Sequence, residues 1–108
     1  MTEIDVETLR DALAAGEELL LVDCREGWEW EIGHLVGAVL VPLGESAARA
    51  GDVMSLAAGR RVVVYCHHGV RSLRAAAIYR RAGVDAVSLR GGTEAWSLRV
   101  DPQLPRYG

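Results

Sequence analysis

Val62-Val63-Val64-Tyr65-Cys66-His67-His68-Gly69-Val70-Arg71-Ser72 is the stretch on which the reading of this chain turns. It opens with four apolar residues of high β propensity, the pattern of a strand buried on both faces. A cysteine follows, then a short loop with one glycine, closed by Arg71 and Ser72. An alanine-rich helical pattern runs on from Leu73 to Ala82. A strand that delivers a cysteine to a loop at a helix N-terminus surrounds the sulfur with backbone N–H groups and the positive end of the helix dipole. Gly69 lets the loop curl so that several amides aim at one point, and Arg71 adds a positive charge nearby. These residues predict a thiolate of lowered pKa at Cys66, in a site built to hold an anion, with His67, His68, Gly69, Val70, Arg71 and Ser72 as its surroundings.

On either side of this stretch, short apolar runs alternate with helical patterns. Asp5 to Leu13 reads as an amphipathic helix with Asp5 as N-cap and Gly16 just past its end. Leu19 to Cys24 is a second buried strand. Arg25 to Glu31 is polar and carries Trp28 and Trp30, a short helical turn. Val39 to Val41 is a third strand, stopped by Pro42. Gly44 to Ala58 reads as a weaker helical segment broken near Gly51. Gly83 ends the helix that follows Cys66, Ala86 to Leu89 is a further strand, and Gly91-Gly92 leads into a last helix through Trp96. Residues 100–108 read as an extended tail, and Trp30 and Trp96 as core. This alternation predicts a single α/β domain over residues 1–108, with a mainly parallel sheet of about five strands flanked by helices in three layers. Sites in such sheets lie at the carboxyl ends of the strands, where Cys66 stands.

The chain has 108 residues, half of them hydrophobic, enough for one core and not for two. No apolar run approaches membrane-spanning length and the first residues are acidic, so a cytoplasmic protein with no membrane partner is expected. The net charge of −3 excludes a nucleic-acid partner of the usual basic kind. Its distribution is uneven. Residues 1–58 hold 12 acidic and 3 basic side chains, a net of −9, whereas residues 59–99 hold 8 basic and 2 acidic, a net of +6. The two cysteines, Cys24 and Cys66, are too few for a disulfide framework. Cys24 reads as a packed thiol, with a protective disulfide to Cys66 as the alternative. Neighbouring histidines in a tight loop rarely converge on one ion, so His67 and His68 read as residues of the mouth, adding variable positive charge near neutral pH, and not as metal ligands. Asp23 and Arg25 read as structural supports at a strand end, and His34 as a hydrogen-bonding turn residue.

Three segments in order resemble the signatures of single-domain rhodaneses, a sulfurtransferase family. Asp23-Cys24-Arg25-Glu26 with Trp30 and then Gly33-His34-Leu35-Val36-Gly37-Ala38 is similar to the first signature. Cys66 to Ser72 is similar to the active-site loop, and Leu89-Arg90-Gly91-Gly92-Thr93-Glu94-Ala95-Trp96 to the C-terminal one. Val36 stands where the family usually has proline, Gly27 replaces another proline, and Cys24 stands where valine is common. The resemblance implies that Cys66 takes a sulfur from thiosulfate or another sulfane donor as a persulfide. A thiol, cyanide or a sulfur-acceptor protein then removes it, and no metal or organic cofactor is needed. The tail Asp101-Pro102-Gln103-Leu104-Pro105-Arg106-Tyr107 is similar to the end of rhodanese modules joined to adenylyltransferases, which implies a partner of that type. Cysteine phosphatases and arsenate reductases on related loops are the first rival reading. Such phosphatases place five residues between cysteine and arginine, whereas only His67 to Val70 separate Cys66 from Arg71, so the loop favours sulfur. A relay or regulatory interaction module is the second rival.

The charge split predicts a positive field at the mouth of the Cys66 loop. Capture of an anionic donor such as thiosulfate is expected to slow as salt rises, because the field is screened within roughly 8 Å at physiological ionic strength. Second-order rates across a salt series, with a neutral donor as control, check this. Equal salt dependence for both donors removes the steering claim.

Overall fold

A computed structural model describes all 108 residues. The elements are β1 (Glu3–Ile4), α1 (Val6–Ala14), β2 (Leu19–Asp23), α2 (Gly27–Ile32), β3 (Val39–Leu40), α3 (Ala50–Ala57), β4 (Arg61–Tyr65), α4 (Val70–Arg81), β5 (Ala86–Leu89) and α5 (Gly92–Arg99), with a single 3-10 turn at Leu43–Glu45. The five strands form one sheet in the order β1-β5-β4-β2-β3. Every pairing is parallel.

The apolar runs of β2 and β4 are central and covered on both faces, which is why they show no polar alternation. Successive residues of a strand point to opposite faces. Leu20, Val22 and Cys24 of β2 and its end therefore join Val62, Val64 and Cys66 in one core cluster, packed on α3 and α4 through Val53, Ala57, Ala75, Ala76 and Tyr79. Leu21, Val63, Tyr65, Val87 and Leu89 form the opposite cluster, with Val6 and Leu9 of α1 and Trp96 of α5. The α/β class and three-layer arrangement are as the sequence implies.

Several boundaries differ from the expectation. The helix after the cysteine begins at Val70, three residues before Leu73, because Gly69 takes the N-cap in a left-handed conformation. Arg71 and Ser72 therefore belong to its first turn. The segment after Pro42 is a 3-10 turn and a separate helix, and Gly51 lies inside that helix; the break falls at residues 46–49, where the Arg49 amide donates to the Glu45 carbonyl. β1 is too short to leave a periodic signal, yet the amides of Ser88 and Arg90 donate to the carbonyls of Thr2 and Ile4. The tail is not simply extended. It turns at residues 102–104, buries Leu104 and is fastened by the Ser97 hydroxyl donating to the Leu104 carbonyl at 2.8 Å. Trp96 packs partly buried against its cluster, while Trp30 stacks on His34 with ring centroids 3.4 Å apart. No helix is long and apolar enough to cross a membrane.

Gly92 is the tightest backbone contact next to the Cys66 loop. It has φ +56°, and a Cβ there would lie 2.2 Å from the Cys66 carbonyl oxygen and 2.6 Å from that of His67. Gly92→Ala combines a left-handed residue with a backbone clash. A loss of stability of more than about 2 kcal/mol is expected, read as a lower denaturant midpoint at unchanged slope.

Candidate active site

The site forms where β4 ends. Cys66 follows the strand directly, and its side chain is 1 % exposed. Its Sγ receives the Gly69 amide at 3.1 Å and the Ser72 amide at 3.4 Å. The Ser72 hydroxyl lies 3.4 Å from the sulfur and 2.7 Å from the hydroxyl of Ser88 on β5. With the sulfur ionised, the two hydroxyls form a relay: Ser88 donates to Ser72, and Ser72 donates to the thiolate.

The loop's carbonyls are held on the other side. The Thr93 amide donates to the Cys66 carbonyl at 2.9 Å, and the Glu94 amide to the His67 carbonyl at 3.1 Å. Free N–H groups in the first turn of α5 thus find partners in the loop, and the loop amides are left to face the sulfur. Gly69 has φ +98°, and a Cβ there would meet the Gly91 nitrogen at 2.9 Å.

The Cys66 thiol is held well below its ordinary value, at about 4. The neighbouring Cys24 thiol lowers it most; burial opposes; the Ser72 hydroxyl and the amides of Ser72 and Gly69 lower it further. Cys24 shifts the other way. The neighbouring Cys66 and its own burial push it far above the usual thiol range, so the proton of the pair stays on Cys24.

Arg71 lies on the first turn of α4 and donates to Glu29 of α2 through both terminal nitrogens, at 2.6 and 2.8 Å. Its charge is therefore matched by a carboxylate that is itself buried. Burial pushes Glu29 up, but the Arg71 hydrogen bonds, the Tyr107 hydroxyl and the Glu26 amide outweigh it and hold Glu29 at about 2. Tyr107 reaches this point from the tail. Its hydroxyl donates to Glu29 at 2.6 Å and accepts from Arg25 at 3.0 Å. Arg25 in turn forms a buried pair with Asp23 at 2.7 Å and donates to the Gly33 carbonyl at 2.7 Å. The Arg25 amide also donates to Asp23 at 2.9 Å. Asp23 and Arg25 thus tie the end of β2 to the Gly33 turn and, through Tyr107, to Glu29 and Arg71.

His67 is buried, stacked on Tyr107 and tilted against His68, with both centroid distances 3.9 Å. Its Nε2 has no hydrogen-bond partner, and the Glu94 carboxylate is 3.6 Å away. Burial, then the neighbouring His68, lowers its pKa against the pull of Glu94 and Glu29. Burial therefore favours the neutral ring at His67, which works against the positive charge expected of that residue at the mouth. His68 and Val70 are exposed on the rim, and Trp28 lies edge-on to Tyr107 at 5.9 Å. His34 is outside this group. Its Nδ1 lies 3.0 Å from the Trp30 carbonyl, in the turn after α2.

Glu29, Ser88 and Tyr107 complete the site, although the sequence marks none of them as a site residue and names Tyr107 only as the end of the tail motif. Ser88 left a signal, as the one polar residue in the buried run Ala86 to Leu89. Glu29 left a weaker one in its three-residue spacing from Glu26, which forms a capping box at the start of α2. Tyr107 left none in local pattern.

The rhodanese-like domain family model matches residues 5–99. The probable adenylyltransferase/sulfurtransferase MoeZ of Mycobacterium tuberculosis is 42% identical over 101 residues, covering 92% of this chain and 25% of that protein. The chain thus spans about a quarter of that relative's length. A sulfurtransferase of Allochromatium vinosum is 37% identical over 109 residues, covering 100% of this chain and 99% of that one. Among solved structures, a rhodanese-like domain protein from Staphylococcus aureus superposes with a TM-score of 0.80 at 26% identity, each chain covered in full at 100%.

The lowered thiol makes a pH prediction. A group whose pKa is depressed stays ionised until the pH falls through the depressed value. Alkylation of Cys66 by iodoacetamide is therefore expected to keep a constant rate from about pH 8 to about pH 6, where an ordinary cysteine slows roughly tenfold per unit. A rate that follows an ordinary thiol contradicts the site's electrostatics.

Proposed function

The chain belongs to the rhodanese-like domain family, and we propose that it transfers sulfane sulfur through a persulfide on Cys66. Sulfur transfer in general is what the family and its named relatives support. The observation that carries the finer reading is the ring of donors on Cys66 Sγ, the amides of Gly69 and Ser72 and the Ser72 hydroxyl, at the N-terminus of α4.

In this reading the thiolate attacks the outer sulfur of thiosulfate. The sulfur–sulfur bond of the donor breaks, and sulfite leaves with its electron pair. The new persulfide places its negative charge one atom further out, towards the loop amides that held the thiolate. A thiol, cyanide or an acceptor protein then attacks the terminal sulfur and restores Cys66. Arg71 contributes through its place beside the loop. Because Glu29 matches its charge, attraction of an anionic donor falls mainly to the amides and the helix terminus. His67, Tyr107 and Trp28 shape the mouth. The same chemistry suits a relay in which an adenylyltransferase-type partner is served, a second reading favoured by the MoeZ similarity.

Cys66→Ser is expected to fold normally and to form no persulfide. Wild type treated with thiosulfate is expected to gain one sulfur by intact mass spectrometry, which cyanide removes as thiocyanate. Arg71→Ala is expected to load roughly tenfold to a hundredfold more slowly, through a disordered rim and an unpaired Glu29. Sulfur gained by Cys66→Ser, or none gained by wild type from any sulfane donor while an aryl phosphate is hydrolysed, overturns this function.

A further inference from the structure

Cys24 is a buried thiol that forms no bond in the transfer reaction. β2 and β4 pair in parallel with Asp23 opposite Tyr65, so the next residues, Cys24 and Cys66, also stand side by side. The Cys24 amide donates to the Tyr65 carbonyl at 3.0 Å, extending the ladder to that point. Both side chains enter the same core cluster, at 0% and 1% exposure. Neighbouring strands lie about 4.8 Å apart, inside the roughly 4.4–6.8 Å range of Cα separations that a disulfide spans. The reacting atom that the strand register places beside Cys24 is the sulfur of Cys66.

We propose that Cys24 is a resolving thiol, which attacks the inner sulfur of the Cys66 persulfide, expels hydrosulfide and leaves a Cys24–Cys66 disulfide. This rests on the persulfide reading above. The bond between Cys24 Sγ and Cys66 Sγ forms as the bond from Cys66 Sγ to the terminal sulfur breaks. The two cysteine sulfurs are oxidised to a disulfide, and the terminal sulfur is reduced to sulfide. The proton of the Cys24 thiol passes to the departing sulfur, which leaves as HS⁻. Charge and atoms balance without an external oxidant. A low-molecular-weight thiol or a dithiol then returns the pair to its reduced state.

The geometry suits this direction of attack. The loop amides and the Ser72 hydroxyl surround Cys66 Sγ at the N-terminus of α4, while Cys24 approaches from the neighbouring strand. In the resting pair the thiolate of Cys66 holds the proton on Cys24. Loading moves that negative charge out by one sulfur and relieves the restraint, so Cys24 becomes a nucleophile only after sulfur has arrived. The disulfide then occupies the sulfur that the amides served. A loaded domain that meets no acceptor thus releases sulfide and stops accepting more.

The test loads the full chain with thiosulfate, removes the donor and follows it by mass spectrometry without added thiol. Wild type is expected to lose the added sulfur and two hydrogens, with one hydrosulfide released for each persulfide lost. A tryptic digest without reductant is expected to join peptide 11–25 to peptide 62–71. Cys24→Ser, with Cys24→Ala in case serine disturbs folding, is expected to keep its persulfide at least about tenfold longer, a small part of the advantage of a group held at its target. Equal persulfide lifetimes in wild type and variants, or hydrosulfide released without the joined peptides, overturn the proposal. If neither wild type nor variants gain sulfur, the persulfide reading itself fails and takes this inference with it.

Discussion

The site depends on which way the backbone of the Cys66 loop faces. A short loop between a strand and a helix has carbonyls and amides in equal supply, and both need partners when buried. Here the carbonyls of Cys66 and His67 are taken by the amides of Thr93 and Glu94. The amides of Gly69 and Ser72 are thereby left for the sulfur. Two helix N-termini, those of α4 and α5, meet at one loop from different sides. One supplies donors to the thiolate, and the other fixes the peptide planes that make this possible. Gly92 permits the second contact because any Cβ would strike the same carbonyls. Gly91-Gly92 is thus the other half of the cradle, brought in by the pairing of β5 with β4.

A second chain of interactions fixes the rim. Asp23, Arg25, Tyr107, Glu29 and Arg71 join in sequence from the end of β2 to the first turn of α4. Buried ion pairs of this kind contribute little net stability relative to well-packed apolar groups, because desolvation offsets the attraction. Their geometry is another matter. Each member satisfies its neighbour, so removing one leaves a buried charge or hydroxyl without a partner, at a cost of a few kcal/mol. The chain therefore defines where α2, α4 and the tail sit in relation to the loop. It also explains why Arg71, a formal positive charge beside a thiolate, acts as a part of the rim more than as a free anion receptor.

The central strands were legible because β2 and β4 are buried on both faces and therefore read as unbroken apolar runs. The Cys66 loop was legible because its glycine, its cysteine and the following helical pattern are adjacent in sequence. Contacts across long separations were not. Glu29 meets Arg71 from 42 positions away and Tyr107 from 78, and no local pattern encodes such a meeting. The tail looked extended because Pro102 and Pro105 suit extended backbone, while its anchoring depends on Ser97 and on the buried Leu104. Helix starts were misplaced for a related reason. Gly69 reads as a loop residue, and only its packing against Gly91 shows that α4 begins immediately after it.

The two thiols show how a sheet can assign chemistry. In a parallel pair, register and the two-residue period together decide which side chains share a face. Asp23 opposite Tyr65 puts Cys24 opposite Cys66 on the α3 and α4 face, and Asp23 itself on the other face with Arg25. A slip of one residue would have sent Cys24 to the α1 and α5 side and Asp23 towards the sulfur, where its negative charge would oppose a thiolate. The observed register does the reverse. It keeps the carboxylate away and gives Cys66 a neighbouring thiol in the same core cluster. Identical side chains on adjacent strands become chemically distinct because only one of them meets the amides of the loop. Cys66 holds the charge there, and Cys24 holds the proton.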